Sequence, residues 1–246
     1  MTTRTALYEY LSYKMPTSLS EDWDNDGIMC LPQDGKVKKV LLSLDATKAA
    51  VEKAKNDGFD LIVTHHPMIF DPLKSVTSPK IIDIVKNNIA VFSFHTRLDA
   101  CEGGVNDEIA VRLGLCNVEK FFFGRIGDLP APIPTVHFAE TIVKPTFGCD
   151  IVRLIKRTEM VRRVAVIGGA AKEFAPEAEK AGADTFLTGT MSYNTMIDAD
   201  EGGINVIEAG HYSTEFPVLV ALKKMIGEFD PEIEIEIFDN NPIIVL

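Results

Sequence analysis

The sequence predicts an α/β protein with a mainly parallel sheet, whose functional residues gather at the carboxyl ends of the strands. Two observations lead to this prediction. Apolar runs typical of buried strands alternate with helical patterns along most of the chain, and four of the five histidines follow directly after such runs. Strands that alternate with helices form parallel sheets covered on both faces. In such sheets, ligands bind outside the carboxyl ends of the strands.

In the first half of the chain, strands and helices are predicted to alternate. The strands are residues 38–44, 59–64 and 89–94, and the helices are residues 46–56, 79–87 and 104–113. Gly114 ends the last of these helices. Residues 121–123 then indicate a short strand, and Pro130, Pro132 and Pro134 favour a loop or an edge strand.

The alternation resumes in the second half. The predicted strands are residues 163–167, 184–187 and 204–208, and the predicted helices are residues 173–181, 192–200 and 214–228. Residues 232–238 alternate charged residues with isoleucine, which is typical of a half-buried strand.

Composition limits the classes of protein that fit. The chain has 246 residues and a formal net charge of −11, and 46% of its residues are hydrophobic. This length fits one large or two small domains, with enough apolar residues for a core. Nucleic-acid binders need clustered basic residues to neutralise phosphates, so nucleic-acid binding is disfavoured. The acidity suits a protein that gathers divalent cations, although it serves solubility equally well.

The cellular compartment is predicted from what the sequence lacks. The four cysteines form no C-x-x-C pair, which favours reduced thiols. The N-terminal segment has no apolar run typical of a signal peptide, and no stretch has the roughly 20 apolar residues of a membrane span. We therefore expect a cytoplasmic protein that does not bind membranes.

Histidines and acids follow three of the predicted strands. His65 and His66 come after the second strand, His95 and Asp99 after the third, and His211 after residues 204–208, with Glu215 four residues further on. Imidazole nitrogen and carboxylate oxygen are ligands of Zn, Fe, Mn, Ni and Co. Neighbours in an extended chain point in opposite directions, so His65 and His66 would serve different ions. The pattern predicts a two-metal site, in which paired ions about 3.5–4 Å apart activate water.

Other interpretations of these residues stay open. Asp99 could cap a helix, Glu215 could complement a helix dipole, and three or four of the ligands would satisfy a single Zn. His95 could shuttle protons or orient a ligand, or be a hydrogen-bonded buried histidine. Gly168-Gly169 and Gly189 favour close packing of strand against helix over a phosphate site.

Four motifs, in order along nearly the whole chain, resemble those of the NIF-three-like proteins, also named GTP cyclohydrolase 1 type 2 homologues. The motifs are Trp23-Asp24-Asn25-Asp26-Gly27-Ile28, Thr64-His65-His66-Pro67, His95-Thr96-Arg97-Leu98-Asp99 with Gly103-Gly104-Val105-Asn106-Asp107, and Gly210-His211-Tyr212-Ser213-Thr214-Glu215.

The resemblance implies a dinuclear centre held by His65, His66, Asp99, His211 and Glu215. It also implies two α/β domains with the site between them, and a homohexamer. This chain looks like the short form of the family, without an inserted middle domain. We place the first domain at residues 1–120 and the second at residues 121–231, and a C-terminal strand at 232–246 could return to the first domain.

Two positions depart from the pattern of the family. Arg97 stands where the family usually has Asn, and Thr190 where it often has Glu. The change at Thr190 puts an acid or base role there in doubt. A guanidinium at position 97 could bind an anionic substrate, or it could pair with a carboxylate of the protein.

Two functions are compatible with these residues. The first is a metal-dependent hydrolase acting on a small molecule such as a nucleotide, with GTP ring opening as the reaction that the name of the family suggests. The second is a metal-handling or regulatory adaptor without turnover. The sequence names neither the substrate nor the metals, because a fold and its ligands do not fix the reaction.

Overall fold

The structure, a computed structural model, describes residues 2–244 apart from the side chain of Lys172. Contacts divide the chain into unit 1, from the N-terminus to Cys101 together with Leu219–Ile244, and unit 2, Glu102–Val218. Each unit contains one β-sheet with helices, which confirms the predicted α/β class. The domain limits predicted at residues 120 and 231 stay a prediction.

The strands are numbered along the chain. They are β1 (Gly27–Cys30), β2 (Lys39–Ser43), β3 (Leu61–Thr64), β4 (Ala90–Ser93), β5 (Cys116–Phe121), β6 (Gly124–Pro134), β7 (Arg153–Ile155), β8 (Met160–Ala170), β9 (Thr185–Thr190), β10 (Asn205–Glu208) and β11 (Glu234–Ile237).

The helices are numbered in the same way. They are α1 (Arg4–Lys14), α2 (Lys48–Asp57), α3 (Pro79–Lys86), α4 (Thr96–Ala100), α5 (Val105–Arg112), α6 (Thr135–His137), α7 (Lys144–Phe147), α8 (Ala175–Lys180), α9 (Tyr193–Asp200), α10 (His211–Glu215) and α11 (Val218–Phe229). A π-helical stretch, Phe138–Val143, lies between α6 and α7. None of the helices in the described part of the chain is long and apolar enough to cross a membrane.

The sheet of unit 1 has the order β1-β4-β3-β2-β11. All of its pairings within the described residues are parallel except that of β1 with β4. Ser43 pairs with Thr64, and Thr64 with Ser93, so β2, β3 and β4 end level with one another. Their residues are buried apart from the first residue of β2, as expected for strands covered on both faces.

Local signals in the sequence explain the connection from β2 to β3. The hydroxyl of Thr47 accepts a hydrogen bond from the amide of Ala50 and begins α2, and Gly58, at φ 72°, ends it in the left-handed conformation. Between these ends, Val51 and Ala54 pack with Leu41 in the core on one face of the sheet. The crossover therefore returns the chain to a strand parallel to β2.

The sheet of unit 2 has the order β5-β6-β8-β9-β10-β7. Within the described residues of this sheet, only the pairings of β9 with β8 and with β10 are parallel, so the sheet is more mixed than the sequence predicts. The prolines lie in β6 and not in a loop, and they occupy an edge as predicted, because β5 pairs with β6 only as far as Asp128 and residues 130–134 have β8 alone as a neighbouring strand. The pairing of β6 with β8 is interrupted between Asp128 and Ile133, so Pro130 and Pro132 lie where no ladder hydrogen bond is needed.

One other predicted element is divided in the structure, and one is shorter than predicted. The helix predicted at 214–228 is split into α10 and α11, and Pro217 lies at the break. Proline lacks the N–H group that a continuous helix would require. Strand β11 pairs in parallel with β2 of unit 1. The strand predicted at 232–246 ends at residues 245 and 246, which lie outside the described residues.

The sequence did not predict helices α1, α4, α6 and α7 or strands β1, β6 and β7. It predicted a strand at residues 121–123, but β5 ends at Phe121 and the next two residues form the turn to β6. The weakly amphipathic α1 depends on its cap, where the hydroxyl of Thr3 accepts a hydrogen bond from the amide of Ala6. Strands β1 and β7 are short and pair antiparallel at the edges of the two sheets. Short edge strands carry little periodicity, so the sequence gives few signals for them.

Asn106 ties the end of β8 to α5 within unit 2. Its buried side chain accepts a hydrogen bond from the amide of Gly168 at 2.9 Å and donates one to the carbonyl oxygen of Phe123 at 3.1 Å. Both backbone groups would lose this partner if the amide side chain were removed.

We therefore expect Asn106→Ala to lower the free energy of unfolding by about 2–3 kcal/mol, because buried polar groups without partners are costly. Urea unfolding followed by circular dichroism measures this change. The control is Asn56→Ala at an exposed position of α2, which should leave stability within about 0.5 kcal/mol. Equal stability of the two variants would contradict the assigned role of Asn106.

Candidate metal centre

Three histidines converge where β3 and β4 end. A potential ligand atom of each of His65, His66 and His95 lies within 4.8 Å of those of the other two. The ring of His95 lies 5.2 Å from that of His65 and 5.7 Å from that of His66, measured between centroids. The level ends of the parallel strands bring these side chains together, as the sequence predicted from their positions.

The geometry of His65 and His66 differs from that expected for an extended chain. Their ring centroids are only 4.9 Å apart, and the chain bends at both residues. Thr64 stabilises the bend, because its hydroxyl donates a hydrogen bond to the carbonyl oxygen of His66 at 2.8 Å. The two imidazoles are therefore close enough to serve one ion or a pair of neighbouring ions.

Each of these histidines has an oxygen partner at Nδ1. His65 Nδ1 lies 3.0 Å from the carbonyl oxygen of Phe94, His66 Nδ1 lies 3.0 Å from Asp45 Oδ1, and His95 Nδ1 lies 2.9 Å from Asp24 Oδ1. A carbonyl oxygen or an ionised carboxylate can only accept a hydrogen bond, so Nδ1 carries the proton in each case. In the neutral ring, Nε2 then keeps its lone pair.

This arrangement fits a metal ion. Histidine ligands of metals regularly donate their second ring N–H to a carboxylate or carbonyl oxygen, which fixes the tautomer and makes the imidazole a better ligand. Nitrogen donors of this kind, together with carboxylates, suit divalent first-row metals. The chemistry of the donors therefore supports the metal site predicted from the sequence.

Asp99 faces the same cluster from α4. Its Oδ1 lies 3.7 Å from His65 Nε2, which is too far for a hydrogen bond but fits two atoms that share one cation. The side chain is 11% exposed. Asp99 lies within α4, and the N-cap of α5 is Gly104, so the structure does not support a capping role for Asp99.

Asp24 accepts several hydrogen bonds next to this cluster. Besides its contact with His95, it accepts hydrogen bonds from the amide and the hydroxyl of Thr96 at 3.0 and 2.6 Å. Burial favours the neutral acid, but these hydrogen bonds outweigh it and hold the pKa of Asp24 well below its usual value. Asp24 is therefore ionised at neutral pH and orients the imidazole of His95.

Arg97 pairs with a carboxylate of the protein, which is one of the two roles that the sequence left open. Its side chain has no exposed surface, and Nε lies 3.0 Å from Asp26 Oδ1, which is also buried. The guanidinium carbon lies 4.5 Å from the centre of the Phe94 ring. In this structure Arg97 therefore binds a carboxylate of the protein, and no part of its side chain is open to a substrate.

In unit 2, His211 and Glu215 lie on one turn of α10. His211 Nε2 is 3.1 Å from Glu215 Oε2, as their spacing of four residues predicts. The carboxylate is 4% exposed and the imidazole 41% exposed. Gly210, at φ 85°, lets the chain turn sharply from the end of β10 into α10.

Glycines allow α10 to lie against the ends of β8 and β9. A Cβ atom on Gly169 would overlap Oε1 of Glu215, and one on Gly189 would come within 2.8 Å of the Cα atom of His211. These glycines serve the close packing of strand and helix that the sequence favoured over a phosphate site. They also fix where the carboxylate of Glu215 lies.

Two acids of this region were missed as functional residues in the sequence. Asp45 follows the end of β2 just as the histidines follow β3 and β4, so the same rule would have identified it. Asp24 lies in a loop far from His95 in the sequence. In the sequence, Asp24 stood out only as part of the Trp-Asp-Asn motif, and that motif by itself does not indicate a chemical role.

Comparison with known proteins identifies the family of this chain. The family model for Duf34/NIF3 (NGG1p interacting factor 3) matches residues 2–242 of the chain. The chain belongs to the Duf34/NIF3 family. This match confirms the resemblance found in the four motifs.

Several relatives of this NIF3-family chain have known sequences or structures. It is 30% identical over 235 residues to a GTP cyclohydrolase 1 type 2 homolog of Clostridium perfringens, covering 89% of each chain. It is 33% identical over 225 residues to the protein of the same name from Clostridium acetobutylicum, covering 85% of this chain and 84% of that one. A Bacillus cereus protein related to NIF3 has the same fold, with a TM-score of 0.89 and 21% identity over 100% of this chain and 99% of that one.

The hydrogen bonds of Asp24 predict a pH-dependent contribution to stability. We expect Asp24→Asn to lower the free energy of unfolding by about 1–3 kcal/mol at neutral pH, since bonds to a charged acceptor are worth about this much. The pKa of Asp24 is lower in the folded protein than the ordinary 3.8, so this contribution is present above that value. It is lost as the pH falls from about 5 and the carboxylate is protonated.

Urea unfolding of both proteins in the presence of a chelator, at several values from neutral to acid pH, measures this difference. Asp22→Asn, at an exposed neighbouring position, is the control and should have little effect. A difference between wild type and Asp24→Asn that stayed constant down to strongly acid pH would rule out the ionised form as the stabilising one.

The overlap at Gly169 predicts a second effect on stability. Gly169→Ala and Gly182→Ala both place a side chain at positive φ, but only the first new Cβ meets other atoms within 4 Å. We therefore expect Gly169→Ala to cost about 1–3 kcal/mol more than Gly182→Ala, because the new methyl group displaces Glu215. Thermal unfolding of the two variants measures this difference, and equal losses would show that Glu215 moves aside freely.

Proposed function

We propose that this protein is a metal-dependent hydrolase with a dinuclear centre. His65, His66, Asp99, His211 and Glu215 together hold two divalent cations in this proposal. The observation that carries it is that Nδ1 of His65 and Nδ1 of His66 both face oxygen acceptors in a cluster of histidines, so that Nε2 of each ring keeps the lone pair that a cation binds. When bound, such cations act as Lewis acids and activate water.

We assign the following roles to the residues of this site. The imidazoles of His65 and His66 and the carboxylate of Asp99 would supply donors from unit 1, and His211 and Glu215 would supply donors from α10. Asp45 and the carbonyl group of Phe94 keep His66 and His65 in the ligating tautomer. His95 is 20% exposed and is held by the ionised Asp24, so its Nε2 could accept a proton and release it at the edge of the site.

The substrate that we propose is a nucleotide or a related heterocycle. The support comes from the relatives, whose name, GTP cyclohydrolase 1 type 2 homolog, indicates hydrolysis of a nucleotide ring. Membership of the NIF3 family also favours a homohexamer. We propose that this assembly resides in the cytoplasm. Light scattering of the purified protein in solution would test the assembly directly.

Metal content tests the ligand set. We expect protein purified without chelator to carry about two divalent ions per chain, and His65→Ala, Asp99→Asn, His211→Ala and Glu215→Gln each to lose at least about half of this metal. Elemental analysis by mass spectrometry gives the number and the identity of the ions. The control is His137→Ala, because His137 is exposed and lies outside the cluster.

The pattern of loss separates the alternatives. Loss of metal in variants of unit 1 alone would exclude His211 and Glu215 from the centre. Protein without bound metal would refute the proposal as a whole. If the metals are present, hydrolysis of a panel of nucleotides, with His66→Ala as the inactive control, decides between an enzyme and a metal-handling adaptor. Full metal content without turnover on the panel would favour the adaptor.

A further inference from the structure

Two large aromatic side chains lie exposed beside the histidine cluster in unit 1. Trp23 is 60% exposed and Phe70 is 49% exposed, and their ring centroids are 6.2 Å apart. Tryptophan is buried for the most part in folded proteins, so an exposed tryptophan next to a second exposed ring indicates a binding surface. We refer to Trp23 and Phe70 together as the aromatic pair.

The aromatic pair is attached to the rest of unit 1 on both sides. The side-chain amide of Asn25 donates a hydrogen bond to the carbonyl oxygen of Ile69 at 2.6 Å, which joins the loop that carries Trp23 to the loop that carries Phe70. Asp24, next to Trp23, is held by His95 and Thr96. Rings whose backbone is already fixed lose little conformational entropy when they bind a ligand.

The pair is also continuous with the proposed centre. The ring of Trp23 lies 6.1 Å from that of His95 in an edge-to-face arrangement, and His95 lies 5.2 Å from His65. A planar molecule resting on Trp23 would therefore be one side chain away from the imidazoles. Both Trp23 and His95 belong to the segments that Asp24 joins, so their relative positions are set by the same hydrogen bonds.

We infer that the aromatic pair binds the planar heterocyclic ring of the substrate by stacking. This inference rests on the proposed function and specifies its substrate class. Aromatic side chains stack on the π-face of any base, whereas Glu21 and Asp22, which are exposed beside Trp23, repel phosphate groups. The surface therefore fits the ring of a nucleotide rather than its phosphates.

Trp23 itself reports on this binding, because it is the only tryptophan in the sequence. Titration of the full-length, metal-loaded protein with guanosine monophosphate and adenosine monophosphate should quench its fluorescence and reach saturation. Ribose 5-phosphate, which has a sugar phosphate but lacks the base, should cause no quenching. Free N-acetyltryptophanamide corrects for absorption of light by the base.

Variants test whether planarity is the property that matters. Phe70→Leu should weaken the apparent affinity about tenfold, since stacking on one ring is worth about this factor or more. By calorimetry, Trp23→Phe should retain binding and Trp23→Leu should lose it, although both remain apolar. Tyr13→Leu, which alters an exposed ring on α1, is the matched control and should bind like wild type.

The outcomes distinguish this inference from the proposed function. Normal metal content with no quenching by either nucleotide would overturn the stacking surface and leave the metal centre intact. Equal quenching by ribose 5-phosphate would also overturn it, as would equal binding by Trp23→Phe and Trp23→Leu. Emission that changes with protein concentration but not with nucleotide would assign the aromatic pair to a contact between copies of the chain. Absence of metal would instead refute the proposed function.

Discussion

The level ends of β2, β3 and β4 are the constraint on which the candidate site depends. Ser43, Thr64 and Ser93 pair in register across three parallel strands, so the residues that follow them lie close together. The hydroxyls of Thr64 and Ser93 are 2.7 Å apart in the buried interior, which ties the two strand ends together. A shift of the register would move each side chain to the opposite face of the sheet and separate the histidines.

Around this framework, oxygen acceptors convert three histidines into potential ligands. Each acceptor comes from a different part of unit 1: Asp45 from the end of β2, Phe94 from the end of β4 and Asp24 from the loop before β1. The acceptors orient the rings before any cation binds, which lowers the free-energy cost of forming a site. The same loop holds Trp23 and Asp26, so one short segment orients His95, presents the aromatic pair and neutralises Arg97.

Arg97 departs from the pattern of the family, and the protein accommodates it by burying its side chain next to Asp26. A buried guanidinium without a partner would be very costly, so its ion pair with Asp26 and its contacts with Met15 and Phe94 are required by burial alone. Arg97 precedes Asp99 by two residues in α4. We interpret the ion pair as part of the packing that fixes this short helix, while the donors that suit a cation are the imidazoles and carboxylates.

Apolar periodicity and the position of a residue after a strand are local properties, so the α/β class, most of the longer strands and helices, and the histidines at the strand ends were predictable from the sequence. It did not predict β1, β7 or the hairpin of β5 and β6, since edge pairing and interrupted ladders depend on distant residues. Three features depend on the tertiary structure. They are the oxygen partners of the histidine Nδ1 atoms, the bend that brings His65 beside His66, and the burial of Arg97. These features join residues as far apart as Asp24 and His95, and hydrogen bonds over such separations leave no periodic signal in a single sequence.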